Sequence, residues 1–330
     1  MAEVMLRFDM RLPAFATASQ ADLYEAAIEM CAWGDQRGIP SVHLSEHHGS
    51  EDGYCPSPLL LASAIASRTR NMRIYISALI APLHDPVRLA EDLAILDTIS
   101  RGRVIPILSG GYREEEFRAV GKSLGVRKQY MDDIGPFLKQ AWSGETFTFE
   151  DRTITVTPKP FSDPRPMILM GGSSKPAARR AAREADFFIP SGPEIFEYYR
   201  EELKAQGKPD PGPMPAAPST VTFVAADPDA YWQQIAPHVQ HETNTYARWA
   251  EKAQVFSPYR YFDNCDELRA SGAYRVYHPQ QLIEAARSMV SAQPIMLHPL
   301  CGGIHPDQAW QSLELFGEEV LPTLNAEGIA

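Results

Sequence analysis

Between Val4 and Leu108 the chain alternates strand-like and helix-like segments, and this alternation limits its fold more than any other feature. Val4 to Met10, Ser41 to Ser45, Met72 to Ile80 and Arg103 to Leu108 are short runs rich in apolar and β-branched residues. Stretches of helical period separate them. Leu23, Ala27, Met30 and Cys31 share one face of Ala21 to Arg37, with Ser19 placed to cap that helix and Gly38 to stop it. Ser57-Pro58 opens a second helix, to Arg68, and Pro86 a third, from Pro86 to Ile99, stopped by Gly102. The order β-α-β-α-β-α-β implies parallel strands joined by crossover helices.

The pattern continues with interruptions. Glu114 to Val120 and Arg127 to Trp142 read as helices, and the alternation from Thr146 to Thr157 reads as a small antiparallel excursion. Met167 to Met170 is the fifth strand, Lys175 to Glu184 its helix, and Phe187 to Pro190 the sixth strand. Val221 to Ala225 and Ile295 to Leu297 complete eight, and Trp310 to Leu324 closes the chain as a helix. Eight strands with helices between them predict an α/β protein of the (β/α)8 TIM-barrel type, one domain over 1–330. Such barrels need about 250 residues. The surplus is assigned to less regular insertions near 207–218 and 241–278. A doubly wound sheet lacks its G-x-G-x-x-G after the first strand.

The 330 residues carry a formal net charge of −11. That charge excludes a nucleic-acid backbone or an anionic membrane as main partner, but not a small anionic ligand. Four cysteines, none in a C-x-x-C pair, and an N-terminus without a basic-then-apolar leader point to a cytoplasmic enzyme with free thiols.

In a barrel the chemistry sits where the strands end at their C-termini. The second strand ends in Glu46-His47-His48. These residue types suit metal ligation, acid–base work, cofactor contact or plain capping of neighbouring segments. Adjacent residues of an extended segment point to opposite sides, so the three do not converge on one ion, and no metal is expected. Ser77 and Ala78 lie near the end of the third strand, and Ser109-Gly110-Gly111-Tyr112 ends the fourth. After the fifth, Gly171-Gly172-Ser173-Ser174 precedes a helix. Open glycine backbone, serine hydroxyls and helix N–H groups make an anion site, with Lys175 and Arg179 adding charge; the bland reading is a capping turn with Ser174 as N-cap. Glu91, Asp92 and Asp97 fall inside a helix and read as structural, Asp97 pairing with Arg101 or Arg103. His84, just before that helix, is ambiguous.

The ordered set "SEHHG", "SPLLLASAIASRTRNMRIYISALIAPLHDPVRLAEDLAILDTISRGR", "SGGYREEEF", "GGSSKPAARRAARE" and "LELFGEEVLPTL" resembles the bacterial luciferase-like flavin monooxygenases, with little likeness between 207 and 278. The resemblance implies a (β/α)8 barrel that takes reduced FMN from a separate NAD(P)H-dependent reductase, a transient partner, and uses O2 on a small organic substrate. It places His47 beside the flavin as a catalytic group, with Glu46 and His48 next to it. Gly171, Gly172, Ser173 and Ser174 would hold the phosphate, and Ser77, Ala78, Ser109 and Tyr112 would border the cofactor. It also implies a non-proline cis peptide between Ser77 and Ala78, and a homodimer. Leu108 stands where luciferase has a reactive cysteine and Ser109 where it has an arginine, so light emission is not implied. Sister enzymes suggest a deazaflavin-dependent dehydrogenase or reductase as the alternative, and a non-catalytic flavin-binding relative as the second. The substrate has no motif. Tyr246, Trp249, Tyr259, Tyr261 and Phe262 hint at an apolar or planar one, or at packing.

Overall fold

The computed structural model describes residues 3–218, 220–288 and 293–329. Along the chain run β1 (Val4–Phe8), α1 (Gln20–Gln36), β2 (Ser41–Leu44), α2 (Pro58–Arg68), β3 (Arg73–Ile80), α3 (Pro86–Ser100) and β4 (Val104–Ser109). Then come α4 (Glu114–Ala119), α5 (Arg127–Ala141), the hairpin β5 (Phe147–Phe149) and β6 (Arg152–Ile154), β7 (Leu169–Gly172), α6 (Lys175–Glu184), β8 (Phe187–Pro190) and α7 (Pro193–Ala205). The last third carries β9 (Val221–Val224), α8 (Pro228–Ala253), α9 (Cys265–Ser271), β10 (Tyr274–Tyr277), α10 (Pro279–Ser288), β11 (Ile295–Leu297), α11 (Pro306–Leu315) and α12 (Leu321–Ala326).

The chain forms two compact units. The first holds the described residues of Met1–His43, Ser50–Cys55 and Pro215–Ala330, the second Leu44–Gly49 and Pro56–Met214. In the first, parallel strands follow the order β10-β9-β11-β1. In the second the order is β3-β4-β7-β8, again parallel, with β5 and β6 as a separate antiparallel pair. This is the α/β organisation of a TIM barrel. It has one strand more than expected, β10, which pairs with β9.

Local chemistry sets most element ends. Ser19 and Asp22 form a reciprocal capping box on α1. The Asp85 carboxylate takes the N–H groups of Val87 and Arg88 at the start of α3, and Arg101 (φ 55°) and Gly102 (φ 81°) turn the chain out of it. All five residues of β1 and all four of β9 are buried, as strands covered on both faces require. Asp97 departs from its expected partners. Its carboxylate accepts the Ser162 N–H at 2.7 Å and hydroxyl at 2.9 Å, whereas Arg103 caps carbonyls of Ala66, Thr69 and Met72. Glu91 and Asp92 pair with Arg88 on the surface.

The stretch 241–278 is more regular than its sequence suggests. Helix α8 continues to Ala253, and α9 and β10 follow. Its helical period is hidden because the buried face is polar: Glu242, Thr243 and Asn244 are all inside, and Pro237 interrupts the pattern. The aromatic residues there pack rather than form an open surface. Tyr54, Tyr246 and Trp249 surround the Arg11 guanidinium at 4.6, 4.7 and 4.7 Å, and Tyr246 stacks on Tyr259 at 4.3 Å. Only Tyr261 of that set is exposed. Among the described residues, no helix is long and apolar enough to cross a membrane.

The closing helix is broken by a π turn, Phe316–Val320. Gly317 sits there against the Trp33 indole, where an added Cβ would come within 2.5 Å of Cζ2. Gly317→Ala is therefore expected to lower stability by about 1–3 kcal/mol through overpacking. A urea midpoint unchanged from the parent would show that the indole moves aside at no cost.

Candidate active site

The second unit brings the Glu46 run together with the ends of its strands. The chain leaves β2 extended, so Glu46 and His48 point to one side and His47 to the other, as a two-residue period dictates. The Glu46 side chain is wholly buried. Its Oε1 faces His48 Nε2 at 2.9 Å and His84 Nε2 at 3.0 Å, and its Oε2 accepts the Ile80 N–H. Both imidazoles donate to that one oxygen, so each carries its proton on Nε2. Burial pushes the Glu46 carboxyl up, but the bonds from His48 and His84 and the Ile80 N–H outweigh it and hold the group down at about 2. His48 is raised by its hydrogen bond to Glu46.

On the opposite side His47 Nδ1 lies 2.8 Å from Glu116 Oε1. The same oxygen accepts the His48 N–H at 3.0 Å and the Arg113 guanidinium at 3.0 Å. A carboxylate on Nδ1 fixes the proton there and leaves the lone pair of the neutral ring on Nε2. Arg113 also donates to the His48 carbonyl at 3.0 Å, so one cation braces the backbone and the acid together. The Tyr112 ring meets the His47 ring edge-on, centroids 5.7 Å apart at 81°.

β3 supplies the next wall. The Ser77–Ala78 peptide is cis, as the resemblance implied. Ala78 is the residue skipped in the pairing with β4, where Ser77 faces Ile107 and Leu79 faces Leu108. Ser45 Oγ donates to the Ser77 carbonyl at 2.9 Å. The same ladder sets Ile80 beside Ser109. β4 pairs Leu108 with Met170, so Ser109 and Gly171 are each one residue beyond that pair. Gly172 then lets α6 fold back on the strand, since a Cβ there would meet the Ala177 Cβ at 2.5 Å. Ser174 is the N-cap, accepting from the Ala177 N–H, and Ser173 is exposed beside it.

Direct contacts thus join Glu46 with His48, His47 with Tyr112, and β3 with the segment after β2. Gly171 and Gly172, expected in a loop, end β7 instead, paired with Ile189 and Pro190, and they and the bend at Ser173 and Ser174 are related to the other residues through strand register. The cations expected beside that bend are committed elsewhere: Lys175 lies over the Tyr198 ring at 4.3 Å and Arg179 faces Glu202 at 3.5 Å. Glu116, Arg113 and His84 were not singled out for a role from sequence. Arg113 and Glu116 stand three apart at a helix start, just before the buried Phe117, and that spacing was the available signal.

Because the Glu46 carboxyl falls from an ordinary 4.5 to about 2 on folding, the unfolded chain takes the proton more readily. The stability it contributes, about 3 kcal/mol, is complete above pH 4.5 and lost as the pH falls towards 2. The parent chain and Glu46→Gln should therefore differ in urea midpoint at neutral pH and converge over that window. A gap independent of pH would contradict this account of the buried acid.

Comparison with known proteins places the chain. The family model described as luciferase-like monooxygenase matches residues 7–290, running through both units. The oxygenase component of a flavin-dependent trigonelline monooxygenase from Acinetobacter baylyi is 31% identical over 158 residues, 46% of this chain and 43% of that protein. An FMNH(2)-dependent dimethylsulfone monooxygenase from Pseudomonas putida is 25% identical over 181 residues, 52% of this chain and 48% of that one. The matched part is thus about half the length of these curated relatives. The oxygenating constituent of 3,6-diketocamphane monooxygenase from Pseudomonas putida, solved in complex with FMN, has the same fold: TM-score 0.70 at 20% identity, covering 98% of this chain and 99% of that one. The chain belongs to the luciferase-like monooxygenase family.

Proposed function

We propose that this chain is the oxygenase component of a two-component monooxygenase, using FMN reduced by a separate NAD(P)H-dependent reductase and O2 on a small organic substrate. The observation that carries the reading is His47, buried just after β2 and held through Nδ1 by the buried Glu116. The named relatives, two of them flavin- or FMNH(2)-dependent monooxygenases, support the cofactor. The residues present fit it. Gly171 and Gly172 end β7, and beyond them the Ser173 hydroxyl and the Lys175 N–H would supply donors for a phosphate, Pro176 having no N–H and that of Ala177 going to Ser174. Ser174 serves mainly as the cap of that helix.

Bound reduced FMN supplies the electrons that activate O2 for transfer of one oxygen atom to the substrate. The chain's own groups do the rest. Ser77, Ala78, Ser109 and Tyr112 would border the ring and orient it. His47 gives or takes a proton at Nε2, and Glu116 stabilises the ring when it is charged. Glu46, with His48, His84 and the Ile80 N–H, keeps that wall in one arrangement. The described cysteines are all free, which supports a reducing, cytoplasmic setting. The family match through both units supports one functional domain, and the homodimer rests on the resemblance.

The test is anaerobic titration with reduced FMN and, separately, with the reduced deazaflavin, followed by admission of O2. Tighter binding of FMN, with O2 consumed, is expected. Tighter binding of the deazaflavin with no O2 uptake in the FMN arm would favour the dehydrogenase instead, and binding with no turnover of any acceptor would favour the non-catalytic relative. His47→Ala should leave the melting temperature unchanged and slow turnover roughly 100-fold. Glu116→Gln should also slow turnover, though less than His47→Ala, since the charged ring loses its carboxylate. A His47→Ala variant as fast as the parent at saturating FMN would remove His47 from the chemistry.

A further inference from the structure

A second set of buried polar groups lies in the first unit. Glu242 on α8, His298 directly after β11 and Cys301 in the turn that follows are all 0% exposed, and one donor atom from each lies within 4.8 Å of the others. An ordinary buried ion pair accounts for part of this. Arg7 faces Glu242 Oε1 at 2.8 Å, and Oε2 accepts the Tyr274 hydroxyl and the Cys301 thiol, each at 2.9 Å. It leaves His298 unexplained. Neither ring nitrogen has a hydrogen-bond partner among the described residues, although the side chain is fully enclosed. The ring is met only at ion-pair distance, by Glu242 and Asp9, and without hydrogen bonds it recovers only part of the hydration it gives up.

The His298–Glu242 spacing is that of a metal site, whereas Cys301 Sγ and Glu242 Oε2, now hydrogen-bonded at 2.9 Å, would have to part to admit an ion. Nδ1 looks towards Glu242 Oε2 at 3.7 Å, and Nε2 towards Asp9 Oδ1 at 3.8 Å on the far side. Donor atoms around a tetrahedral zinc ion stand about 3.4 to 3.8 Å apart, given its usual bond lengths. A histidine that ligates through one nitrogen customarily directs the other, protonated, at a carboxylate, and Asp9 occupies that place. The turn is held to α8 independently of any ion. His238 Nδ1 lies 2.8 Å from the Gly302 carbonyl, and a Cβ on Gly302 would strike the His238 carbonyl at 2.3 Å. The local charge also permits a cation. With His241, which faces Asp52, and His298 neutral, Asp9, Asp52 and Glu242 against Arg7 and Arg11 leave one negative charge, which a divalent ion with a Cys301 thiolate would balance.

We propose that Glu242, His298 and Cys301 bind a divalent cation of the zinc class, with Asp9 orienting His298 from behind. Thiolate, imidazole and carboxylate together suit zinc and its spectroscopic substitute cobalt rather than calcium or magnesium. On binding, the Cys301 S–H bond breaks and its proton passes to solvent. The sulfur lone pair goes to the metal, and Glu242 Oε2 turns from the thiol to the ion while Arg7 stays on Oε1. The ion fastens the end of β11 and the turn after it to α8, a structural role.

The experiment is titration of the chelator-treated full chain with Co2+, both folded and after refolding with the metal present. One equivalent should bind, giving visible bands of tetrahedral intensity and a near-ultraviolet thiolate-to-cobalt band, all lost on adding Zn2+. Cys301→Ser should lose the near-ultraviolet band, Asp9→Asn should bind about 10- to 100-fold more weakly, and Cys31→Ser should behave as the parent. No uptake by either route overturns the site. So do visible bands without the thiolate band in the parent chain, which would place the ion at the histidines after β2, or a thiolate band that survives in Cys301→Ser.

Discussion

A carboxylate with no access to water has to be answered by donors, and at Glu46 those donors come from separate parts of the chain. His48 belongs to the segment after β2, Ile80 is the last residue of β3, and His84 lies in the turn before α3. Satisfying one acid therefore fixes the end of β3 and the turn after it against the segment that leaves β2. Loss of any one donor would leave part of a negative charge unpaired in a dry environment, which is among the costlier changes a fold can suffer. The bulge at Ala78 and the Ser45–Ser77 bond lie just upstream of the same anchor.

His47 inherits its place from that arrangement. With Glu46 and His48 directed one way, the pleat sends His47 the other, to Glu116 at the start of α4. Phe117, next in sequence, packs with Ile80 and Leu83, and Gly111 is the residue that lets the chain pass, because a Cβ there would meet Ile80 at 2.7 Å and Phe117 at 3.1 Å. Apolar packing and charge pairing thus position the same short helix. The side chain that holds His47 in one tautomer is set by a hydrophobic contact one residue away.

How much of this was legible depended on whether the sequence carried a period. β1 to β4 and their helices were readable because their buried faces are apolar, so burial and periodicity coincide. Helix α8 was not, because Glu242, Thr243 and Asn244 face inward and look like a solvated surface in one dimension. β10 pairs Tyr274 to Tyr277 with β9 from far along the chain, a long-range choice that its own four residues do not announce. Among Glu114, Glu115 and Glu116, identical residues hid opposite fates. Only the third is buried, and only the fold says so. The Glu-His-His run, by contrast, was correctly divided into two faces by the two-residue period alone, since that inference needs no partner.

The two units bury charge by different means, and the difference separates what responds to pH from what does not. In the second, carboxylates are met by imidazoles and backbone N–H groups, so the network contains members that change charge in the range of ordinary solutions. In the first they are met chiefly by guanidinia, although Asp52 also faces His241 at 2.7 Å, just as Glu116 in the second also faces Arg113. Arg11 pairs with Asp9 and Asp52 and is enclosed by Tyr54, Tyr246 and Trp249, whose ring faces add attraction for the cation where water is excluded. Burial alone would lower the Arg7 and Arg11 values, but neighbouring acids and phenols outweigh it and raise both. A group that never loses its proton cannot act as a switch. The Arg7–Glu242 and Arg11–Asp52 pairs are therefore held by cations that keep their charge across the working pH range, whereas the imidazoles that meet Glu46, Glu116 and Asp52 are the members able to change theirs.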